Sequence, residues 1–174
     1  MPDTRRIAEH EIRSAIERVA NEISTRHAAG NRLILLGIAN GGIELAKRIS
    51  AKIPKSRAGV VDISFHRDDI GRHPIPKEFA PTHIPGDVNG ATVILVDDVL
   101  FSGRTAKAAL DELFDHGRPA SVELAVLVDR GGRRLPLAAD YCGIKIATSS
   151  AEKVIVTLDS QETAKDSIIV RSAS

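Results

Sequence analysis

The chain has no tryptophan, one tyrosine, four phenylalanines and one cysteine among its 174 residues. So few rings exclude the aromatic platforms on which single-strand-binding modules stack bases. A base bound here has to be read by backbone and aliphatic contacts. The lone Cys142 has no internal partner and no CxxC neighbour, which excludes a disulfide scaffold and a thiolate zinc site and suits a reducing cytoplasm. Charge of one sign is missing too: 24 Lys and Arg against 23 Asp and Glu leave a formal +1. That gives no global field for capturing nucleic acid, although a local basic patch is compatible with it. No stretch approaches the roughly 18 apolar residues of a membrane span. The basic start, MPDTRRIAEHEIRSAIERV, runs into an amphipathic charged stretch where a signal peptide needs an unbroken apolar segment. No membrane partner is expected, and the cytoplasm is the expected location.

What is present reads as one globular α/β domain over residues 1–174. Hydrophobic residues at 43% and charged residues at 27% are close to the average of chains that fold by themselves, and the length fits a single core. Ile12, Ala15, Ile16, Val19, Ala20 and Ile23 recur at helical spacing and predict an amphipathic helix ending near His27 to Gly30. Arg32 to Ile38 predicts a strand, Ala39-Asn40-Gly41-Gly42 a turn, and Leu45, Ala46, Ile49 and Ile53 a helix. Further strands are predicted at Gly59 to Phe65, Ala91 to Asp97 and Val122 to Val128, with a helix through Ala106, Ala109, Leu110, Leu113 and Phe114 between the last two. This alternation predicts a mostly parallel central sheet flanked by helices, with ligands at the carboxyl ends of its strands. Residues 66–85 carry Pro74, Pro76, Pro81 and Pro85 without periodicity, which predicts a lid loop, the alternative being disorder. Past Arg130, Lys153 to Leu158 and Ser167 to Val170 predict short strands of a small cap or sheet edge within residues 130–174. His10, His27 and His116 are expected at the surface, and Cys142 as a small packed residue.

Chemistry concentrates in VILVDDVLFSGRTAKAAL, Val93 to Leu110. A buried strand delivers two adjacent carboxylates, then a small polar turn, then a helix. Ser102-Gly103-Arg104-Thr105 at a helix start offers free amides, two hydroxyls and the positive end of the dipole, which suits a phosphate monoester. Asp97 and Asp98 can accept hydrogen bonds from vicinal sugar hydroxyls and stabilise a cationic sugar carbon. Taken singly, the Asp pair is an ordinary solvated strand end and the turn an ordinary helix cap; their adjacency points to a sugar 5-phosphate site. A phosphoacceptor receiver domain would draw its acidic residues from different strands and would not need this turn.

The segment resembles the signature of type I phosphoribosyltransferases. Together with SFHRDD at Ser64 to Asp69 and VLVDRGGRRLPLAADYCG from Val126 to Gly143, the chain is similar nearly throughout to the PyrR family, bifunctional pyrimidine operon regulators and uracil phosphoribosyltransferases. The resemblance implies the type I phosphoribosyltransferase fold with a small cap, or hood, and a flexible lid. It implies that phosphoribosyl pyrophosphate (PRPP) places its 5-phosphate on Ser102, Gly103, Arg104 and Thr105 and its ribose hydroxyls on Asp97 and Asp98. It sets pyrophosphate on the backbone of Ala39, Asn40 and Gly41 with Arg67 closing from the lid, and Mg²⁺ held mainly by PRPP with no direct protein ligand. Uracil is expected near Asp129, Arg130 and Ile146, largely on backbone groups. The implied products are UMP and pyrophosphate in pyrimidine salvage. The implied regulation is transcription attenuation by a uridine-nucleotide-sensing (UMP or UTP) homodimer or higher homo-oligomer that binds pyrimidine-operon leader RNA.

Some positions depart from the family pattern. Ala39 and Asn40 bring no charge to the pyrophosphate loop, Phe101 stands for a usual Tyr and Gly132 for a usual His. The family's RNA face falls here on Glu17, Arg18 and Asn21, with Ser150 where Lys is usual. Arg18 shares that face with Glu11, Glu17 and Glu22, with Arg13 and Arg26 to its sides, which predicts weak RNA binding, while the cluster Arg130, Arg133 and Arg134 is the alternative basic patch. Two alternatives stay open: an RNA-binding attenuator with little enzyme activity, and a phosphoribosyltransferase for another base.

Overall fold

The computed structural model describes residues 4–30, 32–68 and 81–172. Its elements in chain order are β1 (Arg5–Ile7), α1 (Glu9–Arg26), β2 (Leu33–Ile38), α2 (Gly42–Ala51), β3 (Ser56–Val61), β4 (Thr92–Leu100), α3 (Arg104–Asp115), β5 (Ser121–Asp129), β6 (Tyr141–Lys145), β7 (Glu152–Thr157), a 3₁₀ turn (Thr163–Lys165) and β8 (Ser167–Ser172). Strand β2 is an unbroken apolar run and β4 and β5 are apolar through their middles, at Val93–Val96 and Leu124–Val128, because both faces of these strands are covered. They form the middle of a five-stranded parallel sheet in the order β3-β2-β4-β5-β6.

The helical stripe of α1 and the α2 residues Leu45, Ala46 and Ile49 bury against Leu35, Ile94 and Leu127 on one face. Ala106, Ala109 and Leu113 of α3 pack with Leu36, Val93 and Leu95 on the other. From β2 the chain moves outward to β3, then returns to β4 on β2's opposite side. A topological switch point therefore lies between the carboxyl ends of β2 and β4, the place where open parallel sheets receive ligands.

The hood is a separate antiparallel sheet, β1-β8-β7. Arg48 of α2 fastens it: Nη1 lies 2.5 Å and Nη2 3.1 Å from the two carboxylate oxygens of the buried Asp166, and Nη2 also donates to the Asp159 carbonyl. A fork of this kind holds geometry as well as charge. Among the described residues, no helix is long and apolar enough to cross a membrane.

Three expectations are corrected. The strand expected at Gly59 to Phe65 runs instead over Ser56–Val61, the six residues that pair with β2. Beyond Val61 the chain turns, with Asp62 Oδ1 accepting from the Ser64 amide at 3.0 Å and hydroxyl at 2.6 Å, and Phe65 is exposed. His27 is not a surface residue. Its Nε2 lies 2.8 Å from Glu123 Oε2, to which the Tyr141 hydroxyl donates at 2.7 Å, because the end of α1 turns back over β5 and β6. Burial pushes the Glu123 carboxyl up, but hydrogen bonds from Tyr141 and His27 and the charge of Arg26 outweigh it and hold the group below the usual range. Finally, the hood draws its third strand from the start of the chain, and β6, which carries no expectation from the sequence, closes the central sheet.

Candidate active site

β4 continues past the expected Asp97 to Leu100, so both carboxylates belong to the strand rather than to a solvated end. Asp97 is buried, and its Oδ1 accepts the Asp98 amide at 2.9 Å. Asp98 Oδ1 accepts the Val99 amide at 2.8 Å. Burial, and then the neighbouring charge of Asp98, push the Asp97 carboxyl well above the usual aspartate range.

Directly behind lies the small polar turn. Gly103 sits at φ +93° as the residue before α3, a conformation that glycine adopts without steric penalty. Gly103 has no side chain with which to cap the helix; Ser102 Oγ accepts the Arg104 amide at 3.3 Å, and a cleft of about 100 Å³ beside this first turn is lined by Asp97, Phe101, Ser102, Gly103, Thr105 and Ala106 among others. The Ser102 carbonyl is turned the other way, accepting from the amides of Arg134 at 2.9 Å and Leu135 at 3.1 Å. The turn is thereby braced from outside by the segment after β5.

The switch point brings the second loop against the first. Ala39, Asn40 and Gly41 follow β2, the Ala39–Asn40 peptide is cis, and the Ala39 amide donates to the Val61 carbonyl at 3.0 Å. Gly41 packs directly on the Asp98 carboxylate: a Cβ there would come within 2.5 Å of it. A Cβ on Gly42 would come within 1.9 Å of the Val96 carbonyl. Two glycines thus let the start of α2 lie on the end of β4.

Arg67 is reached by a chain held along α3, with Asp68 pairing with Arg104 at 3.3 Å and His66 resting on Glu112 at 3.0 Å. Lid positions 69–80, Asp69, Pro74 and Pro76 among them, lie outside the described residues; at the far end of the expected lid, His83 exchanges backbone hydrogen bonds with Val60 at 2.8 Å and Thr82 Oγ1 accepts the Asp62 amide at 2.9 Å.

The residues expected beside the base, Asp129, Arg130 and Ile146, meet at the end of β5. Asp129 accepts from Arg133 Nη2 at 2.7 Å and from the Gly131 amide at 3.0 Å, and its carbonyl accepts the Ile146 amide at 3.0 Å. Burial raises the Asp129 carboxyl, but those two donors more than offset it and hold it below the usual range. Arg130 turns toward the hood: Nε donates to Thr148 Oγ1 at 3.0 Å, and Nη2 to the carbonyls of Ser149 at 3.1 Å and Glu152 at 2.7 Å. Its guanidinium lies 4.0 Å over the Phe101 ring. Sequence reasoning missed this hood-fastening arrangement. The two family departures, Phe101 and Gly132, were its signal, since a Cβ at Gly132 would meet that ring at 2.3 Å.

Arg18 and Arg26 stand apart on α1. Arg18 donates to the Gly143 carbonyl and lies 3.9 Å from Glu22. Arg26 lies 3.4 Å from Glu123 and 5.7 Å from the Tyr141 ring centre.

The phosphoribosyl transferase domain family matches residues 4–162. The bifunctional protein PyrR of Chloroflexus aurantiacus is 44% identical over 170 residues, which are 94% of this chain and 93% of that protein. The bifunctional protein PyrR of Bacillus subtilis is 46% identical over 158 residues, 87% of each chain. Of solved structures, a hypoxanthine-guanine phosphoribosyltransferase of Bacillus anthracis superposes with a TM-score of 0.68 at 20% identity, covering 97% of this chain and 96% of that one. The hypoxanthine phosphoribosyltransferase of Trypanosoma cruzi gives 0.68 at 23% identity, covering 95% and 94%. At such identities the structural likeness is one of fold.

Proposed function

The chain belongs to the PyrR family of phosphoribosyltransferases, and on that premise we propose that it acts as one cytoplasmic domain that transfers the phosphoribosyl group of PRPP to uracil. The observation that carries this reading is the adjacency, at the switch point, of a carboxylate pair, Asp97 buried and Asp98 half-buried, with the glycine-led start of α3. The 5-phosphate sits on Ser102, Gly103, Arg104 and Thr105, where helix amides and dipole favour an anion. Asp97 and Asp98 receive the ribose hydroxyls. Pyrophosphate lies along the amides of Ala39, Asn40 and Gly41, beneath Arg67. Uracil is read beside Asp129 and Ile146 by backbone groups, with Arg130 positioning that wall through the hood.

The residues suit Mg²⁺ carried in with the donor. Two adjacent carboxylates offer hard oxygen atoms, with Asp97 raised first by burial and then by the charge of Asp98. Held there with the donor, Mg²⁺ would supply positive charge against the departing pyrophosphate. A uracil ring nitrogen forms the bond to the anomeric carbon as the carbon–oxygen bond to pyrophosphate breaks, and the ring N–H proton is released. The carboxylates stabilise the positive charge that builds on the carbon while the two bonds exchange, and Arg67 above the site helps to exclude water.

With Mg²⁺ and PRPP, uracil is expected to yield UMP and pyrophosphate, while hypoxanthine, guanine and adenine react at least tenfold more slowly. A side-by-side assay of the four bases checks this, and faster conversion of a purine would overturn the base assignment while leaving the PRPP site intact.

The regulatory half of the family's activity is proposed here in weakened form. Arg18 and Arg26 are drawn to Gly143, Glu22 and Glu123, leaving little positive field on α1 for phosphates. Titration of a pyrimidine-operon leader hairpin with UMP or UTP present should give weak binding that falls steeply with salt. Tight, nucleotide-stimulated binding at moderate salt would restore full attenuator function.

A further inference from the structure

The last turns of α3 carry a cluster that the transfer reaction does not use. His66 Nε2 lies 3.0 Å from Glu112 Oε2 and 3.2 Å from Asp115 Oδ2, and these three atoms all lie within 4.8 Å of one another. Zinc holds nitrogen and oxygen ligands at about 2.0–2.2 Å, so two tetrahedral ligand atoms stand roughly 3.3–3.6 Å apart. The two contacts to the imidazole nitrogen, 3.0 and 3.2 Å, need to open by only a few tenths of an ångström.

The other oxygen of Glu112 is already engaged. Thr82 donates to Oε1 at 2.7 Å, and His116 Nε2 lies 3.1 Å from the same atom. Partners behind a carboxylate fix its direction, as they do for ligands in built metal sites. A further feature is access: the Asp115 side chain is 67% exposed, against 24% for His66 and 16% for Glu112, which leaves an open side for water to complete the coordination. Imidazole with carboxylates is a donor set suited to zinc and its neighbours rather than to Mg²⁺ alone.

We propose that His66, Glu112 and Asp115 form a binding site for zinc or a similar divalent transition-metal cation. The ion would fasten the chain after β3 to α3, the helix whose first turn faces the cleft beside Asp97. This site is separate from the Asp97–Asp98 pair and does not depend on the transferase reading.

The test uses the full chain, stripped with a chelator and dialysed against zinc in buffer free of phosphate and PRPP. Bound metal is counted, and Co²⁺ serves as a second probe through its visible absorption. The expected result is one zinc per chain, with affinity falling roughly tenfold or more in Asp115→Asn, His66→Gln and Glu112→Gln, at least the loss seen on removing a ligand's outer partner. Asp115→Asn is the decisive variant, because that exposed side chain carries little of the fold. Absence of bound zinc would overturn the proposal and leave His66 as an imidazole shared between carboxylates. Equal binding by all three variants would overturn it too, by placing the metal elsewhere.

Discussion

Asp97→Asn is expected to raise the melting temperature of the free protein while lowering turnover roughly a hundredfold or more, the range lost when one preorganised electrostatic group is removed. The two effects have different origins. Burial, and then the charge of Asp98, raise the Asp97 carboxyl on folding. An acid whose pKa is raised in the folded state holds its proton more tightly there than in the unfolded chain. Its contribution to stability is complete below the unfolded value of about 3.9 and is lost as pH rises through the raised folded value. At neutral pH the wild type carries that loss, whereas the amide has no proton to give up. The Oδ1 acceptor for the Asp98 amide is retained. Turnover falls because a negative charge beside a cationic sugar carbon stabilises the transition state more than the bound donor. Thermal melts across pH, run beside steady-state assays with uracil, check both halves. A variant that melts lower at neutral pH and turns over normally would refute the role given to Asp97.

The second large effect separates two neighbouring glycines. Gly42→Ala places a methyl group 1.9 Å from the Val96 carbonyl, a backbone atom in the middle of the sheet. Neither partner can yield without lifting α2 from β4, so a loss of about 3 kcal/mol or more is expected, or roughly 6–12 °C in melting temperature for a chain of this size. Gly41→Ala meets the Asp98 carboxylate instead, at 2.5 Å. That group can swing aside. Stability should change less, while turnover falls because Asp98 no longer faces the ribose. Denaturant unfolding and turnover of the two variants form the measurement. Equal destabilisation with equal residual turnover would show that the loop does not set the position of Asp98.

What could be read from the residues alone was whatever is encoded locally. The stripe from Ile12 to Ile23 is a helical period, and it buries as one face of α1. The apolar runs of β2, β4 and β5 are strands covered on both sides, and Asp97 to Thr105 is a contiguous strand, turn and helix start. Each is a short-range pattern that survives without knowledge of its neighbours. β1 was not legible because three residues carry no period, and it becomes a strand only by pairing with Val170, Ile169 and Ile168 at the other end of the chain. The shift of β3 to Ser56–Val61 was decided by the six positions that β2 offers, not by β-branched content.

The same division runs through the site. The sequence by itself determined the groups proposed to meet phosphate and ribose, since a carboxylate pair and the start of a helix lie within nine residues of one strand and turn. Only the tertiary structure decided the rest. Strand order set Gly41 against Asp98, the burial of β4 raised Asp97, and Arg48 reached Asp166 across 118 residues to hold the hood. Likewise, the end of α3 gathered His66 and Thr82 around Glu112 from far along the chain. These contacts are chosen by the global packing of two apolar faces, which assigns neighbours to residues that have no local pattern to announce them.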